Sequence, residues 1–129
     1  MSDRAKTLSD MAEEVYEINL QLGWQPSANT FGDCMALLHS EVSEALEAFR
    51  KHDLEDATRP ICGWAAAHPG EVCAEHGPSK PEGVGSEFAD VLIRLLDDCK
   101  MYGIDLQAEY ERKIAYNRTR QWRHGGKRL

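Results

Sequence analysis

The stretch FGDCMALLHSEVSEALEAFRKH, residues 31 to 52, constrains the fold more than any other. Phe31, Met35, Leu38, Val42, Ala45 and Phe49 recur at 4-3-4-3-4 spacing, which lays one continuous apolar stripe along an α-helix. Thr30 followed by Asp33 has the form of a capping box at its start. Further helices are legible on either side. Leu8, Met11, Ala12, Val15, Ile18 and Leu22 predict a first helix over 8–22, stopped by Gly23 and Pro26. Phe88, Ala89, Val91, Leu92, Leu95, Leu96 and Cys99 predict a third over 86–102, capped by Ser86 and ended by Gly103. Asp105 caps a fourth, from Leu106 to about Trp122. With little β-branched alternation and only a short turn at 103–105, the expected fold is all-α: a four-helix antiparallel bundle in a single domain, 1–129.

With 42% hydrophobic residues among 129, the chain has material for one real core. No run approaches the ~18 apolar residues of a membrane span, and MSDRAKTLSDMAEE has no apolar export signal, so a cytoplasmic protein is expected. Cys34 and Cys99 fall inside helical patterns, and all four cysteines, with Cys62 and Cys73, are expected to be reduced. The net charge of −7 is unevenly spread. Residues 112–129 hold seven of the fifteen Lys and Arg and no acid, which leaves the preceding body strongly acidic. A basic tail suits phosphate or nucleic acid; an acidic body repels both unless a cation intervenes.

Beside the main stripe of the second helix runs a row of Cys34, Leu37, Glu41, Glu44 and Ala48, so two carboxylates interrupt apolar positions. Buried unpaired, each would be shifted toward protonation by desolvation and by the other, unless a cation sat between them. Boundary residues reaching out to water would also explain them. Glu87 and Asp90 repeat the i, i+3 spacing on the third helix, where Glu87, Asp90, Arg94 and Asp97 equally make an ordinary polar face. Four carboxylates from two helices would supply the oxygen-only shell that Mg²⁺ or Mn²⁺ prefers. On the fourth helix the positions after Leu106 and Tyr110 are Lys113, Asn117 and Arg120, donors suited to phosphate oxygens or to plain salt bridges.

EVSE (41–44), EFAD (87–90) and KIAYNRTR (113–120) together resemble, in order and type, the signature of the MazG-like all-α nucleoside triphosphate pyrophosphohydrolases. GSEFADVLIRLLDDCKMYGIDL is similar to that family along its length, and the likeness covers about 8–52 and 86–127. The resemblance implies hydrolysis of a (d)NTP between the α and β phosphates, giving a (d)NMP and pyrophosphate. It implies Mg²⁺ held by Glu41, Glu44, Glu87 and Asp90, with Glu41 or Glu44 as the base, and phosphate bound by Lys113, Asn117 and Arg120. A homodimer or homotetramer is implied too.

The departure from the family is the linker 53–85, which holds four of the five prolines and five of the ten glycines. Such a loop is expected to be a surface lid, with at most a short helical turn. Its Cys62, His68, Cys73 and His76 are all Zn²⁺ ligand types, but C-x5-H-x4-C-x2-H is not a standard finger spacing, and structural zinc is not expected. Trp24 reads as a core-edge residue rather than a base-stacking one, and His39 as facing solvent or a partner subunit. The tail RHGGKRL, 123–129, has the charge to contact phosphate or simply to solubilise. The competing class is a nucleic-acid-binding or assembly module built on that tail. A di-iron bundle is excluded by the lack of any Glu-x-x-His.

Overall fold

The computed structural model describes residues 4–24, 28–54, 62–68, 70–78, 80–122 and 128. Among them lie five helices and no strand: α1 Leu8–Gln21, α2 Phe31–His52, α3 Gly63–Ala67, α4 Val84–Met101 and α5 Leu106–Arg118. The all-α class is as expected. None of these helices is long and apolar enough to cross a membrane. The short α3 lies within the linker.

Helix starts follow from side chains that satisfy orphan amides. At α2 the Asp33 amide donates to Thr30 Oγ1 at 3.1 Å while the Thr30 amide donates to Asp33 Oδ2 at 2.9 Å, a complete capping box. Thr7 and Asp10 build the same device at α1. Asp105 caps α5, accepting from the Ala108 amide at 3.0 Å.

The end of α4 is equally local. Gly103, at φ +66, lets the Ile104 amide reach Cys99 O at 2.8 Å and its own amide reach Lys100 O at 3.3 Å, the paired bonds of a Schellman motif. The chain at Gly23 closes α1 with the same two bonds.

Two boundaries differ from expectation. Helix α4 begins at Val84, because Gly83 supplies the break and Val84 is itself buried; Ser86 lies inside the helix and donates to Pro81 O at 3.2 Å. Helix α5 stops at Arg118 rather than Trp122. Thr119 and Arg120 bond back only three residues, and the Thr119 hydroxyl takes Tyr116 O at 2.6 Å, so the last turn tightens and ends. Arg120 therefore lies just beyond the helix.

The described residues group into two compact units, Met1–Pro26 with Leu96–Leu129, and Ser27–Leu95. In the first, α1 packs on α5, the Leu8 amide donates to Gln107 Oε1 at 3.0 Å, and Lys100 pairs with Glu13. Leu96, Asp98 and Cys99 are its buried residues among those described. In the second, α2 meets the part of α4 before Leu96. Glu41 contacts Arg94 and Glu44 interacts with Glu87, so rising numbers on one helix meet falling numbers on the other and the pair is antiparallel.

The stripe on α2 is only partly covered. Ala45 is buried and Met35 and Leu38 half-buried, but Phe31, Val42 and Phe49 stay exposed. The covered face draws on both rows, with Met35, Leu38 and Ala45 from the stripe and Cys34, Glu41 and Ala48 from the row carrying the acids, while Glu44 is exposed.

Thr30→Ala removes the acceptor for the Asp33 amide and is expected to cost about 1 kcal/mol. Urea unfolding of Thr30→Ala, Asp33→Ala and the double variant checks this. The double variant should lose less than the sum, since either change opens the box.

Candidate metal centre

The i, i+3 spacing puts Glu41 and Glu44 on one face of α2, and the antiparallel run of α4 sets Glu87 and Arg94 against it. One carboxylate oxygen each from Glu41, Glu44 and Glu87 lies within 4.8 Å of the others. Arg94 clamps the far end. Its Nε and Nη2 both donate to Glu41 Oε1, at 2.9 and 2.7 Å, and the Glu41 side chain retains only 12% of its exposure. Charge-assisted bonds of this kind are short and fix the carboxylate in one rotamer.

Glu87 bears the strain of the arrangement. Burial raises its pKa above the ordinary 4.5, and the negative charges of Glu44 and Asp90 raise it further; a hydrogen bond with Glu44 adds to this, and Lys80 opposes it weakly. Its Oε2 is buried without a hydrogen-bond partner among the described residues. A buried carboxylate oxygen without a donor suits a proton or a cation. The donor set is oxygen only, which fits a hard divalent ion such as Mg²⁺.

Three of the four expected ligands thus converge. Asp90 is close enough to act on Glu87 by its charge, but it is exposed and stands outside the three-oxygen group. Lys113, Asn117 and Arg120 belong to the other compact unit and are exposed. There Arg120 Nη1 donates to Asn117 Oδ1 at 3.5 Å, and its guanidinium carbon lies 5.8 Å from the Tyr116 ring centroid. The basic tail 123–129, apart from Arg128, lies outside the described residues.

Arg94 is the participant that sequence reasoning assigned to a polar face. Its seven-residue offset from Glu87 places it two turns along the same side of α4, a signal that gains meaning only once the partner helix is known. Trp24 is 69% exposed and so is no core-edge residue, and His39 is exposed. No family model, no curated protein and no solved structure matches this chain.

Because the folded state holds the Glu87 proton more tightly than the unfolded state does, the protonated group favours folding. That contribution is full below the ordinary pKa of 4.5 and is lost as pH rises through the raised folded value. In metal-free buffer, Glu87→Gln should therefore gain in Tm relative to wild type as pH rises above the ordinary 4.5 and through the raised folded value. Added Mg²⁺ should narrow that difference by stabilising wild type alone. Thermal melts across pH, with and without Mg²⁺, check both.

Proposed function

We propose that the chain is a Mg²⁺-dependent nucleoside triphosphate pyrophosphohydrolase that cleaves (d)NTPs between the α and β phosphates. The observation that supports this most is the convergence of carboxylate oxygens from Glu41, Glu44 and Glu87, with Glu87 Oε2 buried and without a hydrogen-bond partner among the described residues. A carboxylate cluster of this kind attracts a polyphosphate only when a cation intervenes, and Mg²⁺ is the usual companion of such substrates.

Glu41, Glu44 and Glu87 would hold the ion, with Asp90 contributing as the resemblance implies. Bound there, Mg²⁺ would supply Lewis acidity toward phosphoryl oxygens and lower the pKa of water. The protein side chains then divide the remaining work. Glu41 is committed to Arg94, which fixes its orientation. Glu44 makes no ion pair among the described residues, so it is the better placed of the two to accept a proton. In this mechanism water donates its proton to Glu44 as its oxygen attacks the α-phosphorus, the bond to the bridging oxygen breaks, and pyrophosphate leaves. Lys113, Asn117 and Arg120 keep the role of phosphate donors. Exposed Val42, Leu46 and Phe49 on α2, with Phe88, Leu92 and Ile93 on α4, are the apolar surface that a second copy would cover in a homodimer.

A panel of nucleoside and deoxynucleoside triphosphates with Mg²⁺, followed by pyrophosphate release, tests the activity. Glu44→Gln should lower kcat by roughly 10²-fold or more. Lys113→Ala should act mainly on KM. Arg94→Ala should weaken kcat less than Glu44→Gln, with Arg94→Lys restoring part of the loss. An inactive wild type on the whole panel, or full activity in both Glu44→Gln and Lys113→Ala, would overturn the proposal.

A further inference from the structure

The linker carries a second cluster with different chemistry. Cys62 Sγ, Cys73 Sγ and a ring nitrogen of His76 lie within 4.8 Å of one another. The two sulfurs are 3.7 Å apart, and Cys73 Sγ is 3.5 Å from His76 Nδ1. A tetrahedral zinc with Zn–S of about 2.3 Å and Zn–N of about 2.0–2.1 Å sets its ligands about 3.8 Å apart for two sulfurs and about 3.6 Å for sulfur and nitrogen. Both observed spacings match. A disulfide would require about 2.05 Å, and both cysteines are free.

The backbone around the sulfurs is arranged as it is around bound thiolates. The Ala65 amide donates to Cys62 Sγ at 3.5 Å, and the amides of His76 and Glu75 are directed at Cys73 Sγ. The turn from Cys73 to His76 is closed by the Gly77 amide donating to Cys73 O at 2.7 Å. Gly77 takes φ +77, which a side chain would resist, and this return bond keeps His76 beside Cys73. His68 stands apart. Its Nδ1 is 2.8 Å from Trp64 O, and its ring stacks on Trp64 at 4.1 Å.

We propose that Cys62, Cys73 and His76 bind one zinc ion through Sγ, Sγ and Nδ1, cross-linking the segment from Cys62 to Gly77 between α2 and α4. The open side of the cluster is a 460 Å³ pocket that Trp64 and Val72 help to line, which leaves the fourth position to water. Each cysteine gives up its thiol proton to solvent as the metal binds. Soft sulfur ligands select zinc over Mg²⁺, so this site and the carboxylate site take different ions. The proposal is independent of any catalytic activity.

The full chain, purified under reducing conditions, should contain one zinc per chain by elemental analysis, bound with a Kd of about 1 µM or tighter. After chelation, Co²⁺ alone should restore one equivalent with a sulfur-to-cobalt charge-transfer band. Cys62→Ser and Cys73→Ser should each reduce that band by about half and weaken binding at least tenfold. His68→Ala should leave stoichiometry and band unchanged. Wild-type uptake is read without any variant, so a variant that misfolds does not decide the outcome. No uptake by the reduced wild type, a cobalt spectrum without thiolate charge transfer, or zinc binding that survives loss of both cysteines would overturn the proposal.

Discussion

Three carboxylates meet where α2 and α4 face one another, and the repulsion among them is the condition that the antiparallel pair has to satisfy. At the 4.8 Å limit of their separation, two unit charges repel by about 1 kcal/mol in water and about 3 kcal/mol at the effective dielectric of a partly buried site. A few such terms are comparable with the whole net stability of a small domain. The chain relieves them unevenly. Arg94 neutralises Glu41 at one end, while half-buried Glu87 at the other has its pKa raised. One guanidinium cannot offset three anions, so the cluster retains an affinity for a positive occupant, whether proton or cation.

That unevenness is what the proposed mechanism draws on. A carboxylate held by two charge-assisted bonds is a rigid ligand and a poor base, because giving up a rotamer or accepting a proton would break the clamp. One without such a clamp is free to exchange protons. The separation of ligand and base in the proposed mechanism thus follows from where a single arginine falls on α4. Because the Glu87 pKa is raised, a proton competes there with any cation offered to the cluster.

The local features were legible from residue order, and the long-range ones were not. The whole of α2 could be bounded from Thr30, Asp33 and the apolar spacing, because a capping box and a helical stripe involve residues within one turn of each other. Ser86 misled because a serine can cap only if the helix has not already started; Gly83 and buried Val84 start it sooner. The end of α5 depended on a hydroxyl turning back at Thr119, which no spacing rule anticipates. The i, i+3 pairs pointed to Glu41, Glu44, Glu87 and Asp90, of which the first three converge, but which residue would neutralise them required the register of α2 against α4. Arg94 is distant from Glu41 in sequence and looked like any polar-face residue. The same holds for Cys62 and Cys73, whose separation matches no finger pattern until α3 and the Gly77 turn fold the intervening chain back.

Ligand chemistry would keep the two proposed sites apart where both metals are present. Zinc binds most donor sets more tightly than magnesium, so an oxygen site is protected from it by abundance and by its preference for several oxygens with retained water, rather than by affinity. The pair of thiols in the linker would sharpen that sorting, since its sulfurs are already spaced for a tetrahedral ion. The linker buries little apolar surface, with Ala65 and Cys73 its only buried residues before Gly83 among those described. Apolar burial at about 25 cal/mol per Å² gives such a segment little on which to fold. A metal cross-link supplies locally what the core does not, and it does so immediately ahead of α4, the helix that delivers Glu87 and Arg94 to the carboxylate cluster.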